Sequence, residues 1–216
     1  MAARLVLAVR PLALDLFCGA GGASEGLKRA GFRVIGVDIE PQPEYPFEFH
    51  CLDARTFPIL RDVAMVWASP PCQAFTAYKR RHGHVKPREN LIPEVRSKLQ
   101  AWGGPYVIEN VVGAPLVNPF LLCGSMFGLD IRRHRIFESN RLSFAFPCEH
   151  WTQTPRFPPA TNRKNLRSTV EVGVYRIPLA VQRQAMGIDW MSLGKLSQAV
   201  PPAYAHAIGR RILETL

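Results

Sequence analysis

Apolar and polar positions divide the chain into short, separate elements. Leu12 to Phe17 is an apolar run that ends in Cys18-Gly19-Ala20-Gly21-Gly22, where the backbone must turn tightly. Ala23 to Ala30 then carries helical spacing and stops at Gly31, and Phe32 to Val37 is a second apolar run closing on Asp38. Strand, glycine-rich turn, helix and strand fit within about 28 residues, close to the usual length of a βαβ unit. Val63 to Ala68 and Tyr106 to Ile108 read as further strands, with a helix between them over Ile92 to Trp102. Helical periodicity returns over Leu179 to Met186, and again over Ala203 to Leu213 behind Pro201-Pro202. Strands alternating with helices predict an α/β fold with a mostly parallel sheet covered on both faces.

The pattern changes after Asn140. Pro147, Pro155, Pro158 and Pro159 lie close together among Arg156, Arg163, Lys164 and Arg167, a composition that disfavours regular structure. Residues 1–140 are therefore expected to form the main unit and 141–176 a small, loop-rich, basic lobe. Residues 177–216 are expected to be helices returning to the main unit.

Composition narrows the function classes. The 216 residues are 47% hydrophobic and 20% charged, which suits a packed core and excludes a disordered chain. The apolar run Leu5 to Val9 stops at Arg10 and Pro11, too short for a bilayer, and no small-residue cleavage site follows it. A cytoplasmic chain with no membrane partner is expected. The five cysteines, Cys18, Cys51, Cys72, Cys123 and Cys148, are odd in number and widely spaced, as reduced thiols are. Cys148 and His150 make a lone Cys-x-His with no second pair at finger spacing, so no metal site is expected. The 27 Lys and Arg outnumber 17 Asp and Glu, giving +10, a balance that points to a polyanion and first to nucleic acid.

Two segments carry chemistry. The turn after the first strand lets backbone approach a ligand, and Asp38 stands 17 positions beyond Gly21, about where a ribose-binding carboxylate belongs. The third glycine of the dinucleotide fingerprint is missing, so the pair suggests only a nucleoside-containing cofactor. Ser69-Pro70-Pro71-Cys72-Gln73 directly follows the strand Val63 to Ala68, and its prolines fix the backbone at the sheet edge where α/β proteins hold ligands. Cys72 is a candidate nucleophile there, although no base for it stands in the segment. Glu109-Asn110-Val111 follows the next strand at the same edge, and a carboxylate emerging among apolar residues tends to a raised pKa.

The ordered blocks DLFCGAGG, VDIE, SPPCQ, IENV, RRHR and QAVPPAYAHAIG, running from about residue 12 to residue 211, resemble the cytosine-C5 DNA methyltransferases. The resemblance implies a Rossmann-like S-adenosylmethionine-dependent methyltransferase fold, with a mixed, mostly parallel sheet and a very small target-recognition lobe. It implies S-adenosyl-L-methionine over the turn formed by Asp15, Phe17, Gly19 and Gly21, with Pro70 at its side. Phe17 and Ile39 would take the two adenine faces, Asp38 the ribose hydroxyls and Asp53 the adenine amino group. Cys72 would add to C6 of a cytosine flipped out of duplex DNA, and Glu109 would bind the N3 and amino edge. Arg135, with Arg133 beside it, would meet the developing charge, with Gln73 nearby and Asn110 ordering the cysteine loop. The two arginines would also favour the Cys72 thiolate. Lys79, Arg80, Arg81, Lys86 and Arg88, with Arg163, Lys164 and Arg167 in the lobe, would bind DNA phosphates.

The chain departs from the family at several points. Ile131 stands where the family has a glutamine before its arginine block, and Ser197-Gln198 stands where it has Gly-Asn. The lobe of roughly 35 residues is short for the family, which predicts a recognition site of about two to four base pairs. A compact, phage-like monomer acting on double-stranded DNA is expected. The alternatives are the tRNA-methylating branch, a non-catalytic DNA-binding relative, or transfer of another C5 substituent from a modified cofactor.

Overall fold

The protein is described by a computed structural model over residues 10–75, 89–143, 147–154 and 167–216. Among the residues expected to bind DNA, Lys79, Arg80, Arg81, Lys86, Arg88, Arg163 and Lys164 lie outside this set.

Strand β1 (Leu12–Leu16) is buried along its whole length, so it must lie inside the sheet with both faces covered. It pairs in parallel with β2 (Arg33–Asp38) on one side and β4 (Val63–Ala68) on the other. Beyond β2 lies β3 (Glu48–Cys51), and beyond β4 lies β5 (Tyr106–Asn110), both parallel to their neighbours. The sheet is completed by β7 (Arg135–Ser139), antiparallel to β5, and by β6 (Phe120–Leu122), antiparallel to β7. The order β3-β2-β1-β4-β5-β7-β6 is that of a mixed, mostly parallel α/β sheet. Strand order reverses between β1 and β4, which opens a crevice beyond their C-terminal ends.

Two helical layers cover the faces. On one side α1 (Gly22–Ala30) lies against α5 (Pro202–Leu213), and Leu27, Phe32, Trp67, Phe137, Tyr204 and Ile208 share a core. A side chain at Gly26 would collide with the Pro202 carbonyl and Ala205, so glycine is what lets these helices touch. On the other side α2 (Ile92–Trp102) places Val95 and Leu99 on Leu14, Leu16, Val66 and Ile108. Alternate residues of β1 thus serve opposite cores, as the two-residue period of a strand requires.

A third cluster joins Ile131, Val170, Ile177, Met186 and Leu196, bringing in α3 (Leu179–Met186) and α4 (Leu193–Gln198). From this segment the Trp190 indole N–H donates to the Ala20 carbonyl at 3.0 Å, closing the C-terminal chain over the glycine-rich turn. Helices were expected at α1, α2, α3 and α5, but α4 has no periodic signal of its own. Nor had β3 one, because Glu48-Phe49-His50-Cys51 is a half-exposed edge with a single apolar-in position. Beyond Asn140 the described chain is not wholly irregular: a 3-10 turn (His150–Thr152) leads into β8 (Gln153–Thr154), which pairs with β9 (Arg167–Ser168).

Candidate active site

A cleft of about 480 Å³ occupies the crevice at the switch point. It is lined from three strand ends: Asp15 to Ala20 after β1, Ser69 to Gln73 after β4, and Glu109 and Val111 at the end of β5. Asp38, Ile39 and Glu40 follow β2 into it, Arg135 enters from β7, and residues 192–200 form its far wall. Of the residues expected to bind cofactor, Asp15, Phe17, Gly19, Asp38, Ile39 and Pro70 line the cleft. Of the expected catalytic residues, Cys72, Gln73, Glu109 and Arg135 do so.

The turn is built for close approach. Gly19 and Gly21 both take positive φ, and so does Phe17 at 58°, an unusual conformation for a bulky residue that its packing against the Leu16 core sustains. The Gly19 N–H donates to Asp38 Oδ2 at 2.9 Å and the Glu40 N–H to Oδ1 at 3.0 Å, fixing that carboxylate at the rim. Ile39 beside it is 63% exposed, an apolar side chain left open at the lip.

Asp15 is fully buried. Its Oδ2 accepts the Ser24 hydroxyl, which also bonds Tyr45, while Oδ1 has no hydrogen-bond partner among the described residues. Burial pushes its pKa up to about 7, against the Ser24 hydrogen bond and helped by Asp38 and Glu109.

Across the cleft, Arg135 Nε lies 3.0 Å from Glu109 Oε1, and both side chains are nearly buried. Burial raises the Glu109 pKa, and Arg135 and Ser69 only partly offset it. The Cys72 thiol is also raised, by burial first and Glu109 second, with Arg135 and Arg133 pulling down. The two arginines favour the thiolate, as expected, but burial and Glu109 outweigh them. Arg135 is engaged by the carboxylate that itself disfavours the anion.

Four of the expected catalytic and cofactor residues, Asn110, Arg133, Asp53 and Gly21, stand outside the cleft wall. Asn110 Nδ2 donates to the Pro70 carbonyl at 2.9 Å and its Oδ1 accepts the Val111 N–H, so it ties the cysteine loop to β5. Arg133 is half-buried. Its Nη2 donates to the Ser197 carbonyl at 2.5 Å, and the Tyr204 hydroxyl donates to the Arg133 carbonyl. Burial and Arg135 bring its pKa down to about 9. Asp53 lies beyond the cleft, its carboxylate held by Arg55 at 2.6 Å. Gly21 is the N-cap of α1, and Arg167 lies in β9. Ile131, where a glutamine is usual, is 1% exposed and belongs to the third core.

Sequence reasoning missed the far wall. Lys195 Nζ donates to Gln42 Oε1 at 2.8 Å, and the Ser192 N–H donates to Glu44, pairs more than 140 residues apart. No local spacing signals them. Gln73 lines the same cleft, and its Oε1 is buried without a hydrogen-bond partner among the described residues.

The sheet order, with a cleft at its switch point, is an α/β arrangement also seen in solved methyltransferases. In solved structures the fold recurs in the S. pombe Dnmt2 methyltransferase, with TM-score 0.60 and 14% identity over 95% of this chain and 99% of that one. It recurs also in the Entamoeba histolytica methyltransferase EhMeth, with TM-score 0.57 and 12% identity over 95% and 98%. Residues 13–115 match the family model for C-5 cytosine-specific DNA methylases. The type II methyltransferase M.AgeI of Thalassovita gelatinovora is 27% identical over 118 residues, 46% of this chain and 28% of the relative. The type II methyltransferase M.XorII of Xanthomonas oryzae pv. oryzae is 29% identical over 129 residues, 48% and 29% respectively. The matched region thus spans under a third of either relative.

Proposed function

We propose that the chain transfers a methyl group from S-adenosylmethionine to C5 of a cytosine flipped out of double-stranded DNA. The observation that carries this reading is the convergence of Cys72, Glu109 and Arg135 in one cleft with the glycine-rich turn. The donor set suits the cofactor. Phe17 and Ile39 offer apolar faces to a planar base, Asp38 offers an anchored carboxylate to ribose hydroxyls, and the open Oδ1 of Asp15 offers a buried acceptor to a cationic group. When bound, the cofactor supplies an electrophilic methyl on a sulfonium.

The protein's groups do the rest. A base entering the cleft competes with Arg135 for Glu109. Because burial raises its pKa, Glu109 can carry a proton to hydrogen-bond N3. Arg135, released from that pair, then faces the substrate and the sulfur of Cys72. The thiol gives up its proton to water and the sulfur bonds to C6, while N3 takes the proton of Glu109. C5 becomes an enamine-like nucleophile and accepts the methyl group. Loss of the C5 proton to water reopens the C5–C6 double bond and expels the Cys72 thiolate, while N3 returns its proton to Glu109. Asn110 holds the Pro70 carbonyl and so the position of the sulfur, and Arg133 braces β7 against Ser197.

Residues 141–176 form the target-recognition region of this reading, with residues 1–140 catalytic and 177–216 closing over the cofactor face. The short lobe gives a recognition site of about two to four base pairs. Sequencing of methylated DNA tests this, and a strict site of about six pairs or more overturns it.

The decisive assay incubates the purified chain with labelled S-adenosylmethionine and unmethylated duplex DNA, with tRNA in parallel, and identifies the labelled nucleoside. Labelled 5-methyldeoxycytidine is expected. Label in tRNA alone, or in no nucleic acid, overturns the proposal.

A further inference from the structure

The antiparallel edge of the sheet carries a second constellation that methyl transfer does not use. Cys123 follows β6 directly, and His134 directly precedes β7. Cys148 and His150 belong to the segment that opens the small lobe. These three stretches meet so that Cys123 Sγ lies 3.2 Å from His150 Nε2 and Cys148 Sγ lies 3.4 Å from His134 Nε2. The four atoms all fall within 4.8 Å of one another.

Two sulfurs and two imidazole nitrogens are a borderline-soft donor set, with no hard oxygen ligand among them. A zinc ion at 2.3 Å from sulfur and 2.0–2.1 Å from nitrogen sets a sulfur and a nitrogen about 3.5 Å apart in tetrahedral geometry. The two observed pairs stand at that separation before any metal is added. Two thiolates neutralise the ion, and four protein ligands leave no open position, as in structural rather than catalytic sites.

The surroundings also suit a ligated metal. Ser125 is buried, donates from its hydroxyl to Cys123 Sγ at 3.3 Å and accepts the Glu149 N–H at 3.1 Å. That hydroxyl orients one ligand and holds the backbone between the other two, the part an outer-shell group plays at a metal site. Arg132 Nη2 donates to the His150 and Gln153 carbonyls at 3.0 and 2.8 Å, pinning the same segment.

We propose that Cys123, His134, Cys148 and His150 bind one zinc ion in a closed tetrahedral site that fastens the base of the small lobe to the β6–β7 edge. The site adjoins the catalytic edge, because the carbonyl of ligand His134 accepts Arg135 Nη1 at 2.9 Å. Zinc thereby fixes the strand end from which Arg135 reaches Glu109.

The full chain, expressed with zinc supplied and purified with reductant, tests this by elemental analysis and by cobalt substitution. One zinc per chain is expected to survive dialysis. The cobalt form is expected to show the intense visible bands of tetrahedral coordination with thiolate charge transfer. Cys148→Ser and His150→Ala should each lose the metal, while Cys51→Ser, at an exposed cysteine outside the cluster, should keep it. A folded wild-type chain with neither zinc nor a cobalt–thiolate spectrum overturns the proposal, as does a Cys123–Cys148 disulfide in place of metal. Equal metal loss in Cys51→Ser would also overturn it.

Discussion

The parallel and antiparallel halves of the sheet differ in the charge they bring to the cleft. From the parallel half come Asp15, Asp38, Glu40 and Glu109, although the chain as a whole carries +10. From the start of β7 comes Arg135, the last of the run Arg132-Arg133-His134-Arg135 and the one of the four that lines the cleft. The halves meet where β5 pairs with β7, Glu109 standing opposite Phe137 and Asn110 opposite Ile136, and there the ion pair Glu109–Arg135 forms. A parallel sheet points every strand's C-terminal end to one side, so it collects groups around a ligand. The antiparallel addition brings a strand's N-terminal end to that same side, and with it the opposite charge. Net charge therefore says little about the cofactor side, which is acidic.

Substitutions that break this junction should have the largest effects. Cys72→Ala should lower methyl transfer by at least about 10,000-fold while cofactor affinity, measured by calorimetry, stays unchanged. Near-normal turnover in that variant would show that the covalent route is wrong.

Glu109→Gln should cost about 1,000-fold in turnover by removing the proton donor. It should also lower the Cys72 pKa, because Glu109 is the second cause of its rise after burial. Iodoacetamide should then alkylate Cys72 faster than in wild type at neutral pH. Slower alkylation would mean that the two halves are not coupled through this carboxylate.

Asp15 sharpens the comparison from the acidic side. Its folded pKa of about 7 lies above the ordinary aspartate value of 3.8, so the stabilisation it gives is complete below the unfolded value and is lost as pH rises through about 7. By about 1.4 kcal/mol per unit, the loss approaches about 4 kcal/mol at alkaline pH. Asp15→Asn should therefore be more stable than wild type at pH 8 by denaturant titration, with the gap closing at about pH 4, and should bind cofactor more weakly. An unchanged pH dependence of stability would refute the burial argument.

Tyr204→Phe is the mildest change. It removes the hydroxyl that bonds the Arg133 carbonyl and should cost about 1 kcal/mol in thermal unfolding, with turnover largely retained.

Much of this was legible in the chain because each chemical block sits on one short stretch at a strand end. Asp15 to Gly22, Ser69 to Gln73 and Glu109-Asn110 needed only to be assigned to the strands before them, and hydrophobic runs such as Val63 to Ala68 did that. The strands β3, β6 and β7 were not legible, since β3 is a half-exposed edge and β6 and β7 are short, mixed runs that show no period. Nor was the state of Cys72, because the balance of burial, Glu109 and Arg135 exists only once β5 pairs with β7.

By itself, then, the sequence determined the α/β alternation, the glycine-rich turn and the candidate groups at the strand ends, all of which depend on near neighbours along the chain. Tertiary structure alone decided that Lys195 walls the cleft with Gln42, that Arg133 braces while Arg135 faces inward, and that Cys123 and His134 join the Cys148-x-His150 pair. Those relations link positions up to 153 residues apart, and only the packing of sheet edge, lobe and returning helices brings them within reach.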